Sequence, residues 1–160
     1  MSVWDEEYPA LLLLNAVYGG TSMSKLFMNV RERLSLCYFA SSSLEKMKGL
    51  MLVSSGIEFD KYAQARDEIL AQLEACRRGD ITPDELEGAR RIVMTALYTT
   101  LDSQSRQADF WLGQAAADLT QTPEELAAQV ERVTAEQVAH AAQKVKLDTI
   151  YFLKGKEAMA

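Results

Sequence analysis

The hydrophobic period of this chain changes at Leu36, and that change decides most of its architecture. Before it, Met23, Leu26, Phe27, Val30 and Leu34 recur at the three-to-four-residue spacing of one helical face. After it, Leu36–Ser43 and Gly49–Glu58 follow the two-residue period of strands, joined by the charged connection Leu44–Lys48. Two strands so close in sequence pair most economically as an antiparallel hairpin. Upstream, a first helix is predicted over Glu6–Val17, with Pro9 tolerated in its first turn. Its run Leu11–Leu14 is apolar on more than one face and should be buried. Gly19 and Gly20 supply permissive backbone that ends this helix, and Ser22 is placed to cap a second one over Met23–Arg33.

Past the hairpin the sequence is helical, with plain start and stop signals. Asp60–Arg78 places Tyr62, Ile69, Leu73 and Cys76 on one face and ends in Arg77-Arg78-Gly79, basic residues and glycine where a C-terminus wants them. Thr82-Pro83-Asp84-Glu85 and Thr122-Pro123-Glu124-Glu125 are capping boxes with proline at the first helical position, and Thr134-Ala135-Glu136-Gln137 is a third box. The first opens a long helix through Leu86, Val93 and Leu97, with a change of register near Thr99–Ser105 before Arg106–Leu119 resumes. The other two open short helices, Glu124–Glu131 and Ala135–Val145. Asp148–Leu153 is predicted as a closing strand that joins the hairpin in one sheet, with helices on a face. The fold class is therefore α+β, an antiparallel or mixed sheet covered by helices, and not alternating βαβ.

At 160 residues the chain suits one domain, residues 1–160. A net charge of −6 argues against a protein built to grasp phosphate backbones, so nucleic acid is not an expected partner. Cys37 and Cys76 are too few for a disulfide framework; reduced thiols and a cytoplasmic location are the simpler reading. No window approaches 18 consecutive apolar residues, so no membrane span is expected. The opening Met1–Pro9 is acidic and lacks the basic flank and apolar core of a signal peptide. It runs almost at once into a helix, so either the domain begins with that helix or the chain is a piece of a longer protein.

Little in the sequence carries chemistry of its own. His140, the single histidine, sits among alanines on a helix and reads as a structural or surface residue. There is no His-x-x-Glu-His, Cys-x-x-Cys or Gly-x-Ser-x-Gly. Gly19-Gly20-Thr21-Ser22 lacks the Gly-Lys-Ser/Thr ending of a phosphate loop and follows no strand, so it reads as a turn. Arg31 and Tyr38 are the pair to weigh. Read locally, Arg31 is a solvated helix-end cation and Tyr38 a half-buried strand aromatic. The other reading is that an arginine fork and a phenol hydroxyl converge near a sheet edge and hold the carbonyl oxygens of an extended ligand.

Gly19-Gly20, then Ser24-x-Leu26-Phe27, Val30-Arg31-Glu32-Arg33 and Leu36-x-Tyr38 before a serine-rich strand end resemble the insulinase/pitrilysin family of zinc metallopeptidases. The match is to the second, C-terminal and non-metal half-domain of the processing-peptidase-like members. It continues through the hairpin, the helix after Thr82 and the last strand. The resemblance implies homologous half-domains that pair around a chamber, with zinc and its His-x-x-Glu-His ligands in the other half of the parent or in a partner. It implies that Arg31 and Tyr38, seven residues apart, bind peptide substrate or stabilise the tetrahedral intermediate. It also implies no catalytic residue or cofactor in this chain, which should be inactive alone. Many relatives have glycine before the leucine of the Leu-x-Tyr step; this chain has Ser35. The strand that usually precedes the first helix is missing too, so the expectation is a fragment truncated at its N-terminal strand, able to form a homodimer through an open sheet edge. The competing expectation is a non-catalytic partner or scaffold subunit that pairs with an active homologue.

Overall fold

The computed structural model describes residues 1–155 and is helix-rich α+β, with one antiparallel hairpin. Helix α1 (Tyr8–Asn15) is its hub, packing against α6, α5, α3 and the hairpin. That follows from its sequence: Leu13 and Leu14 are fully buried and Leu11 nearly so, as an all-round apolar helix requires. Each such leucine contributes on the order of 2 kcal/mol of burial.

The glycines do not end this helix. It widens instead into a π turn, Ala16–Gly20, that carries both of them. A Cβ at Gly20 would stand 2.9 Å from the Asn15 carbonyl oxygen five residues back, so the wider turn leaves room for hydrogen alone. The second helix is also wide, a π-helix over Leu26–Arg33. Leu26 and Val30 are buried, but Met23 lies outside the helix in solvent. Ser22 is exposed and makes no cap; the Ser24 hydroxyl accepts the Phe27 N–H at 3.4 Å instead.

Strands β1 (Cys37–Glu45) and β2 (Leu50–Ile57) pair antiparallel from Glu45 opposite Leu50 to Cys37 opposite Ile57. Ala40 and Ser42 face inward, where α1, its π turn and the π-helix cover β1. Buried Ser42 is satisfied by donating to the Asn15 side-chain oxygen at 2.8 Å.

A 3-10 turn (Phe59–Lys61) leads into α2 (Tyr62–Arg78), which ends as predicted at Gly79. That residue is left-handed (φ 79°), and the Asp80 and Gly79 N–H groups close the turn on the Ala75 and Cys76 carbonyls. Helices α3 (Pro83–Tyr98), α5 (Pro123–Glu131) and α6 (Ala135–Lys144) each open with a complete capping box from Thr82, Thr122 and Thr134. Between them, α4 (Gln104–Ala116) follows a break at residues 99–103. Arg90 of α3 donates to the carbonyls of Val130, Glu131 and Val133, joining α3 to the open C-terminus of α5.

One predicted element is absent. Asp148–Leu153 forms no strand, so the sheet has two strands among the described residues. An apolar, β-prone sequence is only half of what a strand needs; the other half is a ladder partner. Here the aromatic side chain decides: Phe152 stacks on Tyr62 with centroids 4.3 Å apart and meets Phe59 edge-on at 6.3 Å.

Candidate functional site

The site candidates lie where the π-helix hands over to the hairpin. Arg31 is in the last turn of that helix, with its guanidinium carbon 4.6 Å from the centroid of Phe27. A residue four positions earlier lies under it on the same helical face, and the ring holds the cation from below. Its Nε is 3.6 Å from Glu32, and the side chain is 40% exposed.

The chain then leaves the helix through an unusual corner. The Leu34 N–H reaches back to Asn29, Ser35 to Arg31 and Leu36 to Val30. Ser35 has φ 48°, the left-handed region that favours glycine. The position that differs from the resembled pattern is thus one where the backbone itself prefers glycine. A serine there stores strain of about 1–2 kcal/mol. Ser35→Gly should therefore raise stability by about 0.5–1 kcal/mol after the added freedom of the unfolded chain is subtracted. Urea unfolding midpoints test this, and a lower midpoint would show that the serine side chain holds the corner. Leu36, almost fully buried, anchors the corner from below.

Tyr38 is not half-buried. The β1–β2 register shifts between Cys37 and Phe39, so Tyr38 is the extra residue of a bulge and stands 86% exposed. Phe39 meanwhile folds over Gly56 across the ladder, where a Cβ would meet the ring at 2.7 Å. Arg31 and Tyr38 thus share one end of the hairpin, linked by the Leu34–Cys37 connection. No hydrogen bond or ion pair joins the two. The sequence reading missed the Phe27 platform, although the Phe27–Arg31 spacing of four was a usable signal, and the bulge, for which there was none.

Other reactive groups are committed elsewhere. His140 stands 2.7 Å from a Glu7 carboxylate oxygen, and Lys144 bonds the other oxygen. Those bonds, Lys144 first, hold the Glu7 carboxyl below its usual range. Burial pushes the Cys76 thiol up to about 11, which leaves it inert at neutral pH. Tyr18 is raised by burial too, and its hydroxyl donates to the Ile69 carbonyl. Among the described residues no three His, Cys, Asp or Glu side chains come together as a ligand set. The described residues therefore offer no zinc-ligand set of their own. No helix among them is long and apolar enough to cross a membrane.

The geometry finds close counterparts. The Bacillus subtilis (strain 168) protein "Probable inactive metalloprotease YmfF" is 40% identical over 96% of this chain, which spans 36% of that protein. "Uncharacterized zinc protease YmxG" of the same organism is 30% identical over 64% of the chain and 26% of its own length. The chain therefore spans about a third of the length of the relatives it matches. The crystal structure of a conserved protein from Enterococcus faecalis V583 superposes with a TM-score of 0.83 at 32% identity, covering 89% of this chain and 34% of that one. Residues 2–93, which include the whole junction from Gly19 to Tyr38, match the family described as the peptidase M16 inactive domain. This chain belongs to that family.

Proposed function

We propose that this chain is the C-terminal, peptide-binding half-domain of a zinc-dependent metalloendopeptidase, inactive by itself, and that Arg31 and Tyr38 are its contribution to a shared active site. The observation that carries the reading is the bulge. It turns the Tyr38 phenol out to solvent at the end of the hairpin where Phe27 steadies the Arg31 guanidinium. Both groups donate hydrogen bonds, and both suit a substrate carbonyl oxygen or the oxyanion it becomes. The metal site belongs to the N-terminal half-domain or to a homologous subunit.

In the full-length parent, Arg31→Ala should lower peptide turnover by about a hundredfold or more, the scale for losing an oxyanion donor. Tyr38→Phe should lower it less. Both should leave the urea midpoint unchanged, because neither side chain is part of the core. Normal turnover in both variants would return the pair to a structural role. The 160-residue chain, dialysed and assayed by atomic absorption, should retain no stoichiometric zinc; a tightly held ion would sink the assignment.

The name of the 40%-identical relative favours a second reading, in which the parent is itself a non-catalytic partner of an active homologue. The zinc motif of the parent separates the two. An intact His-x-x-Glu-His supports the first reading, and a degraded one supports the second.

A further inference from the structure

The helix that carries Arg31 is π-helical over eight residues, Leu26–Arg33, although such stretches are rare and seldom exceed one turn. The run contains neither glycine nor proline, so no backbone restriction inside it explains the width. A helix with i→i+5 bonds turns less per residue than an α-helix. Over the five steps from Leu26 to Arg31 the two forms differ by roughly a quarter turn. With Leu26 fixed in the core, the width of the helix therefore decides where the Arg31 guanidinium points.

That width is held from outside. At the head, Lys25 donates to Glu85 of α3 at 2.8 Å. At the tail, Asn29 Nδ2 donates to the Gln72 side-chain oxygen of α2 at 2.9 Å, and Gln72 Nε2 donates to Glu68 at 2.7 Å. Arg33 reaches the same Glu68 oxygen at 3.3 Å. Gln72 and Glu68 lie four residues apart and so share one face of α2. Head and tail are thus tied to two different helices, and the turn between them is set by where α3 and α2 stand. Asn29 is the inner link. It is half-buried, whereas the Arg33 side chain is 61% exposed and its ion pair counts for little. The Asn29 carbonyl also accepts the Leu34 N–H, the i→i+5 bond that closes the helix before the Ser35 corner.

We infer that Asn29 and Gln72 are positioning residues for Arg31. By tying the tail of the wide helix to α2, they hold the guanidinium over Phe27 at the Tyr38 end of the hairpin. The inference rests on the proposed role of Arg31 at a shared active site.

The test is kcat/KM for peptide cleavage by the full-length parent, or by its complex with an active homologue where the parent lacks the zinc motif. Asn29→Ala should lower it about tenfold, the scale for displacing an orienting group by less than an ångström. In an Arg31→Ala background the same change should do nothing, because no guanidinium is left to aim. Gln72→Glu sets two carboxylates side by side and should lower kcat/KM as Asn29→Ala does. Adding Glu68→Gln gives the new carboxylate a donor, leaves it accepting from Asn29, and should recover most of the rate. Far-UV circular dichroism confirms that each variant is folded. A folded Asn29→Ala parent with unchanged kcat/KM, or a loss that persists in the Arg31→Ala background, overturns the inference and leaves the role of Arg31 intact. A double swap no faster than Gln72→Glu alone overturns the part given to Gln72. Normal kcat/KM in Arg31→Ala itself overturns the reading on which the inference rests.

Discussion

Replacing Glu85 by alanine is expected to cost the fold about 3–5 kcal/mol, the scale for stripping a buried ion of its partner. Lys25, at the entry to the π-helix, is the group left behind: its side chain is 8% exposed, and its ammonium lies 2.8 Å from one Glu85 carboxylate oxygen. The other oxygen accepts the Thr82 N–H at 2.8 Å, while the Thr82 hydroxyl accepts the Glu85 N–H at 3.2 Å. One carboxylate thus closes the cap of α3 and neutralises a cation 60 residues away. The cap alone is worth about 1 kcal/mol, so Thr82→Ala serves as the reference for that part. Lys25→Met should cost less than Glu85→Ala, because Glu85 is more exposed and can return to water. The double change Lys25→Met with Glu85→Gln should recover most of the loss, since it leaves no buried charge unpaired. The check is a double-mutant cycle by urea unfolding. If Glu85→Ala costs no more than Thr82→Ala, the pair is solvated and holds nothing together.

Such a contact was illegible in the sequence, and the reason is general to this chain. Features set by neighbours in sequence were readable: the three threonine capping boxes, the hairpin and the left-handed Gly79 all stand where spacing put them. Features set by what lies opposite were not. A π-helix of eight residues and an α-helix of eight residues place nearly the same apolar side chains inward, so Leu26 and Val30 could not report the wider turn. Gly19 read as a stop because its other use, letting two backbone segments approach, depends on a strand more than twenty residues on. Asp148–Leu153 had the composition of a strand and found an aromatic contact in place of a ladder. At the candidate site, the Arg31–Tyr38 spacing came from the resemblance. The bulge that exposes Tyr38 arises from its register against β2 and has no local signature.

Gly19→Ala should be the most damaging single-methyl change in the chain, costing about 3 kcal/mol, the upper part of the range for overpacking a close contact. A Cβ at this position would lie 2.7 Å from the backbone nitrogen of Ser42, from its hydroxyl and from a methyl carbon of Leu26. The leucine could rotate, but the Ser42 hydroxyl is pinned to Asn15 and the nitrogen belongs to β1. Relief therefore means moving the strand, and Tyr38 lies four residues before Ser42 on it. The loss of stability should come with a weaker response to Tyr38→Phe in the parent, because the bulge no longer presents the phenol in the same place. Gly88→Ala is the control. That glycine lies in α3 with nothing within 4 Å of its Cβ position, so the same methyl should stabilise by about 0.5–1 kcal/mol through helix propensity. The two urea midpoints should move in opposite directions. A Gly19→Ala midpoint that rises with that of Gly88→Ala would mean that the π turn stands away from β1 and that the glycine is there only for the turn.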